Sequence, residues 1–325
     1  MKTEDIFTIS TEAEFEKLAL QIFHFQVKNC RVYTDFVRTL GVDVSHISRV
    51  EQIPFLPIEF FKSQTVLSVD KNPEVVFTSS GTTGSLQSKH AVTDLSVYEK
   101  SYLKTFSEAY GNITDYAILA LLPSYQEREG SSLIYMVDDL IRKSGKKDSG
   151  YFLYNHSELA ETLKRLKYSN THTLLIGVTY ALLDFAESHL MEFPELIVME
   201  TGGMKGKRRE MITEELHEIL CQGFGVPAIH SEYGMTELLS QAYSKGGGKF
   251  HCPSWMKVFI RDTNDPLDIL ESDRTGGINV IDLANLNSCS FIATQDLGRL
   301  HADGSFEILG RFDNSDIRGC NLLVQ

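Results

Sequence analysis

The chain has 325 residues, with 31 Lys and Arg against 44 Asp and Glu, a formal net charge of −13, and 42% hydrophobic and 23% charged residues. That length and balance suit one large or two smaller globular domains with a substantial core, and they exclude a disordered chain. The acidic balance excludes a surface built for nucleic acid or an anionic membrane, since both reward clustered Lys and Arg.

From Thr11 to Leu40 the apolar positions recur at helical spacing, and Thr11 with Glu14 makes a capping box, which predicts one or two helices. The Pro-punctuated stretch 53–62 is expected to be extended and partly buried. Val75-Val76-Phe77 reads as the end of a buried strand, and 94–110 as a helix after a glycine-rich loop. Further on, strand-length apolar runs at 116–122, 151–154, 173–178, 196–200 and 226–230 alternate with helical segments at 131–143, 157–168, 179–190 and 207–222. Such alternation predicts an α/β fold on a parallel sheet. After Lys249 shorter strands are punctuated by Gly, Asp and Asn turns, so the predicted division is an α/β core over 1–248 and a small β-rich subdomain over 249–325.

The apolar runs at 116–122 and 173–178 are too short to span a bilayer, and Lys2-Thr3-Glu4-Asp5 opens no signal-peptide core. No membrane span and a cytoplasmic location are expected. Five scattered cysteines, Cys30, Cys221, Cys252, Cys289 and Cys320, show no metal-ligand spacing and suggest neither a disulfide framework nor a zinc site. Cys30, Cys221 and Cys289 read as packed residues, Cys252 as buried or exposed, and Cys320 sits in a glycine-flanked tail.

Chemistry concentrates in four glycine-marked segments at predicted strand ends, where open α/β sheets bind ligands. In the first, Ser79-Ser80-Gly81-Thr82-Thr83-Gly84 has the composition of a phosphate cradle: the glycines let backbone N–H groups approach an anion and the hydroxyls add neutral donors. It is not a Walker A loop, because Lys89 comes five residues past Gly84. Lys89 is a basic group near the loop, and His90 beside it fits either the nucleotide pocket or a structural role. The second segment, Glu200-Thr201-Gly202-Gly203-Met204-Lys205, adds Gly202 and Gly203; its following Lys and Arg residues read as a solvated helix start. The third is Tyr233-Gly234-Met235-Thr236-Glu237, which by itself also fits a helix start capped by Thr236, with His230 just upstream in either a structural role or the acyl-substrate pocket. The fourth runs from Asp296-Leu297-Gly298-Arg299 to Gly310-Arg311-Phe312-Asp313.

In this order and at this spacing the four segments resemble the adenylate-forming superfamily of acyl-CoA synthetases, peptide-synthetase adenylation domains and luciferases. The resemblance implies that the Ser79–Gly84 loop holds the pyrophosphate end of ATP, with Gly202 and Gly203 in the nucleotide site and Lys89 as a catalytic basic group. It further implies that Tyr233 contacts adenine, Gly234 forms the turn, Thr236 bonds the α-phosphate and Glu237 binds Mg²⁺. Asp296 matches the ribose-binding aspartate, Arg311 the arginine near it, and Asp313 the hinge to a mobile C-terminal domain. Here only about a dozen residues follow Asp313 and no lysine follows Lys257, so the usual C-terminal catalytic lysine has no counterpart.

A narrower resemblance accounts for this. The stretch 53–62, Leu122-Pro123-Ser124-Tyr125 with Arg128 and Gly130, and the ending through Arg318-Gly319-Cys320 are similar to the LuxE-type acyl-protein synthetases. Those enzymes activate a fatty acid with ATP, acylate a cysteine near their own C-terminus and hand the acyl group to an acyl reductase. The implied cofactors are ATP and Mg²⁺, the implied nucleophile is Cys320, and the implied partner is an acyl reductase or acyl carrier. A coenzyme A or carrier-protein ligase completed by a separate chain, and a non-catalytic nucleotide-binding scaffold, remain the alternatives.

Overall fold

The computed structural model describes residues 3–80, 86–124, 128, 130–202 and 211–312. Gly81, Thr82, Thr83, Gly84, Gly203, Lys205, Asp313 and Cys320 lie outside the described residues.

The capping box at Thr11 is present: Glu14 N–H donates to Thr11 Oγ1 at 3.3 Å, and Thr11 N–H donates to Glu14 Oε2 at 3.1 Å. It opens α1 (Glu12–Asn29), and an extended Cys30 separates α1 from α2 (Arg31–Thr39). Then come β1 (Leu56–Pro57) and α3 (Phe60–Ser63) within the Pro-punctuated stretch. The hairpin β2 (Val75–Thr78) and β3 (Lys89–Val92) leads to α4 (Leu95–Tyr110), whose N-cap Asp94 accepts from Ser96 N–H. The predicted alternation follows as β4 (Ala117–Leu121), α5 (Ser132–Ser144), β5 (Gly150–Tyr151), α6 (His156–Tyr168), β6 (Thr173–Val178), α7 (Thr179–Ser188) and β7 (Ile197–Thr201). After α8 (Thr213–Phe224) come β8 (His230–Tyr233), β9 (Ala242–Ser244) and β10 (Phe250–His251). The chain continues with β11 (Met256–Arg261), β12 (Thr275–Asp282), β13 (Phe291–Leu300) and β14 (Phe306–Arg311).

The chain divides into two compact units, Lys71–Pro253 and a unit made of Met1–Asp70 with Ser254–Gln325. In the first, β5, β4, β6, β7 and β8 lie side by side in parallel, and β9 and β10 extend the sheet antiparallel. All residues of β4 and β6 are buried, as expected of parallel strands covered on both faces. In the second unit β11 to β14 form an antiparallel meander, and β1 runs parallel to β13. Its core gathers Phe23, Tyr33, Phe55, Phe291 and Trp255.

Several expectations need correction. The first 70 residues group with the C-terminal strands and not with the α/β core, which moves the division away from 1–248 and 249–325. The buried Gln26 of α1 explains why: its amide donates to Asn285 O and Leu286 O at 3.0 Å, and its Oε1 accepts from Ser290 N–H at 2.9 Å. The strand expected at 226–230 begins instead at His230, where pairing with Met199 starts, because a left-handed Gly225 ends α8 and 226–229 serve as connector. Among the described residues α8 starts at Thr213, later than the predicted 207. Finally β2 is not a buried strand of the main sheet: Phe77 is buried, but Val76 is 42% exposed and β2 pairs with β3 alone. No helix among the described residues is long and apolar enough to cross a membrane.

Candidate functional site

The stem of the Ser/Thr/Gly loop is a closed hairpin. Register pairs Thr78 with Lys89, and one step further Ser79 N–H donates to Ser88 O at 3.1 Å while Ser88 N–H donates to Ser79 Oγ at 3.0 Å. Ser79 therefore closes the loop, and Ser80 and Lys89 are exposed beside it. Thr78 N–H donates to Gly130 O at 2.7 Å, which ties the stem to the start of α5; Gly130 has φ +83° there.

His90 makes the decisive link. Its ring is buried, and Nδ1 lies 2.8 Å from the backbone carbonyl of Thr236, so Nδ1 carries the proton and donates. Burial holds its pKa down to about 4, partly opposed by that bond, and the ring is neutral at pH 7. The loop stem and the Tyr-Gly-Met-Thr-Glu segment, 146 residues apart, are thus fastened together. Met235–Leu238 is a turn closed by Leu238 N–H to Met235 O at 3.1 Å and runs toward β9, which removes the helix-cap reading of Thr236. Glu237 is buried, Thr236 half-buried, and Tyr233 is buried with its ring 6.0 Å from that of Phe250.

Glu232, Thr201 and Glu200 were not singled out as site residues from the sequence. Thr201 Oγ1 donates to Glu232 Oε2 at 2.6 Å, and a Cβ on Gly234 would lie 2.4 Å from Glu232 Oε1, so this glycine is needed for close approach. Gly202, just past Thr201, has φ +76°. Burial lifts the Glu232 carboxyl to about 7, with the Thr201 bond opposing and Glu200 adding to the rise. Glu200 Oε2 accepts from Thr179 Oγ1 at 3.0 Å, and its Oε1 is 3.9 Å from His217 Nε2. The one available signal was position: Glu232 immediately precedes the motif.

His230 stands at the start of β8, and its Nδ1 lies 3.0 Å from Tyr110 Oη in an aromatic group with Tyr243; burial and then Lys245 lower its pKa to about 4. Asp296 and Arg311 belong to the other unit, where they face each other across β13 and β14 with Arg311 Nε 3.1 Å from Asp296 Oδ1. The fourth segment is not at a strand end: Asp296-Leu297-Gly298-Arg299 lies inside β13. Cys30 and Cys289 are buried and Cys221 and Cys252 half-buried, all as free thiols. Cys221 is thus less packed than expected.

Glu237 offers the hard carboxylate oxygen that Mg²⁺ prefers, and no cluster of three or more His, Cys, Asp or Glu able to hold a metal occurs among the described residues. One carboxylate with substrate phosphates is the usual way Mg²⁺ is held, so the residues fit.

Neither a protein-family model nor a curated protein matches the sequence. The fold is that of the adenylate-forming ligases, an α/β architecture on a large mixed sheet. ATP-bound MatB from Rhodopseudomonas palustris is similar at a TM-score of 0.56 and 17% identity, over 75% of this chain and 50% of that one. 2-Hydroxyisobutyryl-CoA ligase with 2-HIB-AMP in the postadenylation state gives 0.70 and 11% over 93% and 68%, and its open conformation with 2-HIB-AMP and CoA gives 0.66 and 12% over 94% and 72%. The chain spans about half the length of MatB.

Proposed function

We propose that the chain activates a carboxylic acid with ATP and transfers the acyl group to a thiol, with its own Cys320 as acceptor and a fatty acid as substrate. A carboxylate oxygen attacks the α-phosphorus, the bond to pyrophosphate breaks, and acyl-AMP forms. A thiolate then attacks the acyl carbon and AMP leaves with the bonding electrons. The observation that carries this reading is the His90 bond to the Thr236 carbonyl, which fastens the stem of the Ser/Thr/Gly loop to the Tyr-Gly-Met-Thr-Glu segment.

Two anions meet in the first step, and in a chain of net charge −13 the offset must be local. The resemblance to the adenylate-forming superfamily assigns that offset to Lys89, Arg311 and the loop N–H groups, the α-phosphate to Thr236, the ribose hydroxyls to Asp296 and adenine to Tyr233. Glu237 would hold Mg²⁺, which when bound offsets phosphate charge. For the second step, burial pushes the thiols of Cys30, Cys221 and Cys289 up, which disfavours them as thiolates. The resemblance to acyl-protein synthetases favours Cys320, a cytoplasmic setting, and an acyl reductase or acyl carrier as recipient.

Pyrophosphate exchange with a panel of acids, followed by intact-protein mass spectrometry, tests both halves. Acid-dependent exchange and an acyl adduct that Cys320→Ser removes are expected. Absence of exchange with every acid points to a scaffold. Exchange with coenzyme A-stimulated AMP release and no protein adduct points to a coenzyme A ligase.

A further inference from the structure

The backbone pairing of β7 with β8 covers only Met199 with His230 and Glu200 with Ser231. One residue further toward the glycine turns the two strands are joined by side chains, Thr201 Oγ1 to Glu232 Oε2 at 2.6 Å. The same carboxyl fills the space over the Gly234 α-carbon, so it touches both the end of β7 before Gly202 and the turn that holds Thr236 and Glu237. We propose that Glu232 is a positioning residue whose carboxylate, by accepting the Thr201 hydroxyl, extends the β7–β8 junction past its ladder and sets the spacing of the Gly202 and Gly234 turns for ATP. The inference rests on the nucleotide reading of this site.

Ionisation controls the clamp, because a hydroxyl donates more strongly to a carboxylate than to a neutral carboxyl. The group titrates near pH 7. The titratable groups that face it among the described residues are Glu200 of β7, Tyr98 of α4 and Tyr243 of β9; both tyrosines are pushed up by burial and then by Glu232 itself, and remain neutral. Above pH 7 the clamp tightens and ATP affinity rises.

The test compares wild type with Glu232→Gln, which keeps the shape and removes the titration, so that the nucleotide's own ionisation cancels at each pH. The ratio of the two Mg-ATP affinities is expected to shift in favour of wild type by about fivefold to tenfold from pH 6 to pH 8. Thr201→Val should abolish that shift and Thr201→Ser restore it. Hydrogen exchange of 199–202 and 230–237 in the free proteins gives a ligand-independent reading: at pH 8 wild type should be more protected there than Thr201→Val, in which the carboxylate has lost its hydroxyl donor. A constant affinity ratio, or equal protection of wild type and Thr201→Val at pH 8, overturns the clamp. Absence of ATP binding by wild type at both pH values, with the protection difference from Thr201→Val intact, overturns the nucleotide reading and with it the ATP role of the clamp.

Discussion

Glycine has different work in the two units. In the α/β unit Gly202 takes a positive φ past the end of β7 and Gly234 yields room to a buried carboxyl, both beside side chains with site chemistry. In the antiparallel unit a Cβ on Gly276 would lie 2.2 Å from Arg261 O, and one on Gly298 2.4 Å from Glu307 O, so these glycines permit strands to approach. Bulges between Gly277 and Asn279 and between Leu297 and Gly298 accompany them. Glycine therefore serves a turn and a buried carboxyl in one unit and close strand packing in the other.

The contrast can be broken by perturbing each unit at its own weak point. Gln26→Leu leaves Asn285 O, Leu286 O and Ser290 N–H without their buried partner, and should cost about 3 kcal/mol, seen as a lower urea midpoint with hydrogen exchange rising first in 12–39 and 275–300. Equal loss of protection in β4 and β6 would show that the units do not unfold separately. Glu237→Ala should lower pyrophosphate exchange by about 100-fold or more, roughly 2.7 kcal/mol, in a folded protein. An unchanged rate and Mg²⁺ dependence would remove Glu237 from the site.

Asp296→Asn should weaken ATP binding by about tenfold, roughly 1.4 kcal/mol, since the ribose hydroxyls lose a charged acceptor. Its effect on stability should be small, because the Arg311 side chain paired with it is 71% exposed. If 2′- and 3′-deoxy analogues bind wild type as well as ATP does, Asp296 does not hold the ribose. The smallest effect is on acid stability of the α/β unit. His90 and His230 have depressed pKa values near 4, so their contribution is present above the unfolded value near 6.5 and is lost as pH falls through 4. Glu232, raised to about 7, acts oppositely: its contribution is present below about 4.5 and is lost as pH rises through 7. His90→Gln should therefore flatten the decline of urea stability from pH 7 to pH 5 by on the order of 1 kcal/mol, and Glu232→Gln should steepen it. A slope unchanged in either variant would contradict the assignment of that group.

Most of the α/β unit was legible because parallel strands buried on both faces read as continuous apolar runs, as at Ala117–Leu121 and Thr173–Val178. The capping box at Thr11 and the cap at Asp94 marked their helices for equally local reasons. What was not legible depends on distance along the chain. Nothing local tells that Gln26 is completed by the carbonyls of Asn285 and Leu286, so the N-terminal helices were assigned to the wrong unit. The site shows the same limit: the motif residues were named by type and spacing, but His90 acquired its partner only through the fold, and His230 proved to face Tyr110. Glu232 is invisible as a buried carboxyl until Thr201 is seen above it.

The split composition of the second unit dictates an order of events during synthesis. The α/β unit is one continuous stretch, Lys71–Pro253, and can close its parallel sheet while the ribosome is still adding β11 to β14. Helix α1, made before the α/β unit, has no Asn285 or Ser290 for Gln26 to bond until the last quarter of the chain emerges, a wait on the order of ten seconds or more at 5–20 residues per second. Over that interval the apolar face carrying Phe15, Leu18, Ile22 and Phe23 lacks the strands of its own core, so the last strands to be made decide when that face is covered.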